Sequence, residues 1–425
     1  MKRPASSRAL PRSAACLLAV VMCSGGCSAA SAWRAPAQVR APDSSVAAAL
    51  GDAYRGATPP FDPSSIPLPP EPTNLRPCCA FGTDLRVAVG AVPVPGFTLS
   101  NMRGPQDLGP HKYNVGLFAM SASDASGVFE KENNGVVYTC RGGFLDTAHI
   151  RDWADTTVYL TAQISRNMDA GATIELAEQG GKRRIVLAAI DRERVANVGR
   201  RAATVALAQW LSFQLSIWHE IATWYGYASI ATWPEKISAF SPEDLYSNLL
   251  GIKLAGGISL LRENNDEESY NKAMDAWIAM TLERLRAVPK TSATQAMRSV
   301  AGIWWDPTKS IPDWKLVMRR RLDTGPLLKP WVVAMAFAPD PAPYADCANS
   351  GPRLALNNPE SFEGVPFADD ASVQFDVSDE LAANGFPFPR KNSHRITQAD
   401  FPAIIAAIRR DNAAVFGKSA DQPRK

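Results

Sequence analysis

Residues 213–229 read FQLSIWHEIATWYGYAS, and at their centre stands His219-Glu220-Ile221-Ala222-Thr223. A helix carrying H-E-x-x-H sets two imidazoles one turn apart on one face as zinc ligands, with the Glu between them as general base. Here Thr223 stands where the second imidazole would be. A metal site built on this helix must therefore draw its remaining ligands from elsewhere in the chain.

Four histidines are present, so the search is short. His149 lies in GGFLDTAHIRDWADTT, where helical spacing puts Asp146, His149, Asp152 and Thr156 on one face of an otherwise apolar helix. Such a stripe costs burial energy unless its groups are paired, bind something or face solvent. His111, in GPHKYNV, is expected at the start of a strand, and His394, among charged residues in the tail, at the surface. The segment SPEDLYSNLLGIKLA begins 22 residues after His219 (241 − 219), with Glu243 and Asp244 at its start. Acids there suit a helix N-terminus in any case. The expected centre takes His149, His219 and Glu243 as ligands of one zinc ion, with Glu220 as general base. Asp152, Thr223 and Asp244 would support the ligands, and Arg151 or Tyr246 would steady an oxyanion.

A second chemistry rests on Cys140, which closes VVYTC and precedes Arg141-Gly142-Gly143 and a helix. A helix dipole makes such a thiol acidic and nucleophilic, and His111 would be its base. An oxidising compartment favours a disulfide instead. Beyond residue 27 the cysteines are Cys78, Cys79, Cys140 and Cys347, and the expectation is that Cys78 or Cys79 pairs with Cys140 or Cys347. A third reading has no catalysis. Trp233-Pro234 and Ile303-Trp304-Trp305-Asp306-Pro307 would then line a sugar or peptide groove, although such aromatics more often fill a core.

Three resemblances follow from these segments. His219-Glu220 followed by the acid-bearing SPEDLYSNLLGIKLA resembles zincin metallopeptidases whose third ligand is a Glu on the next helix. The order His111 then Cys140 resembles circularly permuted papain-like hydrolases of bacterial envelopes. Together YTCRGGFLDTAHIRD, WHEIATWYGY and EKISAFSPEDLYSNLLGIKLA resemble a bacterial family filed as domain of unknown function 4056, across roughly residues 76–331. That family resemblance implies an exported bacterial protein and carries no activity.

The elements that must position these residues follow from composition and periodicity. In 425 residues, 46% hydrophobic and 20% charged content describes a globular chain. The fold class is α+β: a helical bundle with a long buried central helix packed against a small antiparallel sheet, over residues 78–330. Strands are expected in DLRVAVGAVPV, HKYNVGLFAM and NGVVYTC, with a hairpin in ATIELAEQGGKRRIVLAAI turning at 179–182. Helices are expected at 146–166, 195–227, from an N-cap at Ser241, at 267–288 and at 311–321. The central one is nearly all apolar over 202–218, and its scattered polar residues suit burial in protein rather than in lipid. The Pro-rich extension 331–425 carries a strand near 372–377 and a helix from 399 to 416 behind an N-cap at Thr397.

Lys2, Arg3, Arg8 and Arg12 precede an apolar run at 14–22 and then Ser24-Gly25-Gly26-Cys27, which reads as a secretory signal over 1–26. Its small-small-Cys ending resembles a bacterial lipobox, with Cys27 lipidated and residues 27–77, rich in Pro and Ala, as a tether. The expected address is periplasmic, held to a membrane by the N-terminal lipid, or secreted if Cys27 is not lipidated. Removing 1–26 takes the formal charge from +3 to −1, and no basic stripe with interleaved aromatics remains, so nucleic acid is not an expected partner. The expected function is a metal-dependent hydrolase of the cell envelope acting on peptide, peptidoglycan or ester bonds. The alternatives are a Cys140/His111 thiol hydrolase or acyltransferase, and an anchored binding or envelope-assembly protein.

Overall fold

A computed structural model describes residues 41–51, 68–77, 80–89, 92–116, 132–191, 193, 195, 199–229, 234–333, 347–362, 364–391 and 393–423. The expected leader and Cys27, together with Cys78, Cys79 and Trp233, lie outside the described residues. The principal elements are α1 (Asp43–Leu50), β1 (Leu85–Val89), β2 (Val92–Leu99), β3 (Val136–Thr139), β4 (Gly143–Asp146), α2 (Thr147–Asn167), β5 (Ala172–Leu176) and β6 (Gly181–Leu187). They continue as α3 (Arg200–Trp224), α4 (Asp244–Leu261), α5 (Glu267–Arg284), α6 (Lys290–Ser299), β7 (Ser310–Ile311), β8 (Ala371–Val377), β9 (Arg395–Thr397) and α7 (Phe401–Phe416). This is an α+β fold. No helix among the described residues is long and apolar enough to cross a membrane.

Helix α2 starts where it does because the Asp146 carboxylate accepts the amides of Ala148 and His149, satisfying donors the helix leaves open. Helix α3 is buried over most of its length and packs on α2, α4 and the sheet, its Trp218 stacked on Phe375 of β8 at 4.3 Å. Helices α2 and α4 meet almost backbone to backbone. A Cβ on Gly251 would lie 2.0 Å from the Ile150 carbonyl oxygen, so only glycine fits there. Gly251→Ala is therefore expected to cost about 3 kcal/mol, the upper end of overpacking effects, read as an earlier urea midpoint.

The main sheet has the order β9-β8-β6-β5 and is antiparallel throughout, with Gly181 opposite Val377 and Leu187 opposite Ala371. The C-terminal extension thus supplies an inner strand, with burial on every second residue of β8. The expected 399–416 helix corresponds to α7, preceded by a capping box at Thr397.

Several expectations need correction. The strands read across 81–139 do not form one sheet: β1 pairs with β2 and β7, while β3 and β4 make a separate hairpin. Residues 111–114 form no strand, because their successive amides donate to the side chains of Asp275, Glu132, Asn271 and Asp155 rather than to a neighbouring chain. Only a short turn of helix, Trp314–Leu316, forms within 311–321. Farther on, the amides of Arg320 and Arg321 go to the distant carbonyls of Ala420 and Phe240. Helix α4 begins at Asp244, not behind Ser241, and the Ser241 amide donates to Asp244 Oδ2. The described parts of the expected tether are docked: α1 buries Val46, Ala49 and Leu50, and Arg76 is buried. Trp304 and Trp305 belong to the core.

Cys140 is bonded to Cys347, replacing any pairing of either with Cys78 or Cys79. The two are 207 residues apart in sequence, so the link constrains a large loop of the unfolded chain. A Cys140→Ser/Cys347→Ser double variant is expected to lose about 5 kcal/mol on the chain-entropy account, measured by chemical denaturation without reductant.

Candidate metal centre

Helix α2 brings His149, and helix α3 brings His219 and Glu220, to one point: a ligand atom from each lies within 4.8 Å of the others. They are 3%, 5% and 1% exposed, respectively, so the grouping is an interior one. The two imidazole rings meet edge-on with centroids 6.0 Å apart. The first turn of α4 completes the surroundings. Asp244 Oδ1 lies 3.7 Å and Glu220 Oε1 3.9 Å from His149 Nδ1. Glu220 Oε2 accepts the Phe240 amide at 2.8 Å, and Asn248, one turn beyond Asp244 on the same face, offers its side-chain amide to Glu220 Oε1 at 3.4 Å.

The His219 ring is gripped on several sides. Gln179, in the β5–β6 turn, has its side-chain oxygen engaged by Arg183 at 2.7 Å, which leaves its Nε2 to meet His219 Nδ1 at 2.5 Å. Trp153 and Tyr227 pack edge-on against the same ring at 6.1 and 6.2 Å. Burial, with lesser contributions from His149 and Arg183, pushes His219 down to about 3, so the ring is neutral; with Nδ1 accepting from Gln179, its one proton sits on Nε2 and would have to leave for that nitrogen to act as a ligand. For His149 burial acts in the same direction, but Asp146, Glu220 and Asp152 outweigh it and hold the group above its ordinary value.

The acids around these rings are expensive to bury. Both carboxylate oxygens of Glu243 are buried without a hydrogen-bond partner from any other described residue. Burial first, then Asp146 and Glu220, raise Glu243 well above the carboxylate range, and burial with Glu220 and Glu243 does the same for Asp244. Glu220 is raised by burial against the pull of His149 and the Phe240 amide. Arg320 feels all three acids, yet its guanidinium donates to the carbonyls of Ala239, Ile237 and Trp314. Two imidazoles among crowded carboxylates are a donor set that a small dication satisfies.

A second buried cluster adjoins α2 through Asp152 and Asp155. Arg76 binds Glu132 at 2.6 Å, Asp152 at 2.7 Å and Asp155 at 3.1 Å, and donates to the Lys112 carbonyl. Burial works against the Arg76 charge, but Glu132, Asp155 and Asp152 overcome it. His111 Nε2 lies 3.0 Å from Asp155 Oδ1, to which Tyr270 also donates.

The expected site residues divide between these places. His149, His219 and Glu220 converge, with Glu220 in the position expected of Glu243 and the Glu243 carboxylate close enough to be felt by it. Asp244 lies beside His149. Thr223, one turn beyond His219, has its hydroxyl buried without a hydrogen-bond partner. Asp152 accepts from Arg76 through both amide and guanidinium. Arg151, two residues from His149 and so on the opposite side of α2, donates to Gly109, Glu132 and Asn134 and cannot serve an oxyanion at the centre. Tyr246 is likewise turned away and donates to the Leu354 carbonyl at 2.8 Å. The thiol pair is overturned: Cys140 is held in a disulfide and His111 belongs to the Arg76 cluster. Sequence reasoning missed Gln179, Arg183 and Arg320, which only tertiary pairing brings to the site.

A family model described as a protein of unknown function (DUF4056) matches residues 66–334, a span that contains all three convergent residues. No curated protein and no solved structure matches the chain.

Proposed function

Because the chain belongs to that family, whose description assigns no activity, we propose a function from the site: a metal-dependent hydrolase whose His149, His219 and Glu220 hold one divalent cation, zinc being the best match to the donors. The observation that carries it is the convergence of two buried imidazoles and a carboxylate from two helices, beside a Glu243 carboxylate with no hydrogen-bond partner from any other described residue. A dication held there by His149, His219 and Glu220 would supply Lewis-acid chemistry, acidifying a water and polarising a substrate carbonyl. Glu220 moves from base to ligand in this reading. Asp244, beside His149, and Glu243, both held toward the protonated form, become the candidates for giving a proton to the leaving group.

The envelope belongs to the same proposal. The leader ending in Ser24-Gly25-Gly26-Cys27 supports export with a lipid anchor, and the Cys140–Cys347 disulfide suits an oxidising compartment. Substrates would then be peptide, peptidoglycan or ester bonds. Near-complete burial favours a second reading, a structural cation site that only stabilises the fold. Zinc loading after chelation separates the two. The hydrolase reading expects about one bound equivalent together with zinc-dependent cleavage of peptide, peptidoglycan or p-nitrophenyl ester substrates. Zinc that only raises the melting temperature supports the structural site, and refusal of zinc removes both.

A further inference from the structure

The residues that pack around His219, namely Trp153, Gln179 and Tyr227, also line a cleft whose other wall is Glu71, Pro72, Thr73 and Leu75. Residues 68–77 form neither helix nor strand and lie across the cleft as a strap. The strap is fastened from outside: Tyr113 donates to the Pro70 carbonyl at 2.6 Å, the Asn74 amide donates to Asn114 Oδ1 at 2.8 Å, and Arg76 is sunk in its acidic cluster. With the strap seated the cleft measures about 40 Å³, room for a few waters. Pockets that hold small ligands start at roughly 300 Å³, so a substrate must displace the strap to enter.

One strap residue sits in a socket that has the features of an anion subsite. Glu71 Oε1 accepts the Ala177 amide at 2.7 Å and lies 3.9 Å from Arg183 Nη2. The Arg183 side chain is 13% exposed, and two of its other donors are already fixed, Nε on the Ala177 carbonyl and Nη1 on Gln179. The socket is therefore rigid before any ligand arrives, and Gln179 ties it to His219.

We propose that the Ala177 amide and Arg183 are the carboxylate-recognition subsite of this centre. Its substrates are extended chains bearing an acidic side chain or a terminal carboxylate, and Glu71 occupies the subsite as an internal mimic that must leave first. The link to catalysis rests on the hydrolase reading; the binding itself does not.

Calorimetric titration of the full chain, in EDTA and again with zinc, tests this with three probes. N-acetyl-Ala-Glu-Ala-amide carries a side-chain acid, N-acetyl-Ala-Ala a terminal carboxylate, and N-acetyl-Ala-Gln-Ala-amide neither. Glu71→Ala is expected to bind at least one acidic probe about tenfold more tightly than the unaltered protein does, and about tenfold more tightly than it binds the Gln probe. The preferred acid identifies the carboxylate source. Adding Arg183→Gln should abolish the gain, and adding Arg183→Lys, which keeps the charge but not the fork, should restore part of it. Equal binding of acidic and Gln probes, no gain in Glu71→Ala, or indifference to Arg183 overturns the proposal. A centre that refuses zinc leaves the EDTA titrations unaffected, so the two failures are distinguishable.

Discussion

His219→Ala is expected to lower bound zinc from about one equivalent to background after dialysis, an affinity loss of more than about 100-fold, while near-ultraviolet circular dichroism stays close to that of the unaltered protein. The magnitude follows from the ring's preparation. Burial keeps the His219 ring uncharged through the physiological range, and Gln179, Trp153 and Tyr227 fix its plane, so a cation bound there would have only the Nε2 proton to displace. Partners behind a ligand are themselves worth about 10–100-fold, so Gln179→Ala should fall between the two proteins. Competition against a chromogenic chelator measures all three. A His219→Ala protein that holds zinc as tightly as its parent would remove this centre from consideration.

Arg76→Met is expected to cost about 3–5 kcal/mol at pH 8, because it strips the cation from Glu132, Asp152 and Asp155 and leaves buried charges uncompensated. The pH dependence has a definite sign. In the unaltered protein burial pushes Glu132 up, but Arg76 and Arg151 overcome it and hold it well below the carboxylate range. Asp155 is likewise held low, by His111 and Arg76 against burial. Groups with depressed values contribute stability that is present above their unfolded values and lost as pH falls through the folded ones. Without Arg76 burial wins. The folded values then rise above the unfolded ones, and the contribution is present at low pH and lost as pH rises. Asp152, already pushed up to about 7 by burial despite Arg76, moves further the same way. The deficit in urea midpoint should therefore be largest near pH 8 and shrink toward pH 5. A deficit that does not change with pH would mean that the three acids are not ionised in the parent protein.

How much of this was legible in the chain differs residue by residue. The convergence of His149 with His219 was readable from a polar stripe on an apolar helix and an imidazole ending a second one. The misplacement of Arg151 was avoidable, since two residues along a helix is about 200° of rotation. Tyr246 stands in the same relation to Asp244. The role of base for Glu220 rests on analogy with a motif whose second histidine is missing here, and such an analogy fixes no distances. Alternation in ASVQFDV identified β8 as a strand, but its register against β6 depends on residues nearly two hundred positions away. The failures at 111–114 and 311–321 share a cause. Backbone amides there are claimed by distant side chains and carbonyls, which local periodicity does not encode.

The interior position of β8 also dictates an order of events during synthesis. Strand β6 can pair with β5 as soon as both emerge, but its second edge must wait for Ala371–Val377, about 180 residues later. Until then an open row of amides and carbonyls is presented to every neighbouring chain, the hazard that unguarded strand edges carry. The Gln179 turn belongs to that hairpin, and the Trp218 that donates to its carbonyl is covered by Phe375 of the late strand. The surroundings of His219 are thus completed only after Ala371–Val377 has left the ribosome, long after the helix that carries the ring.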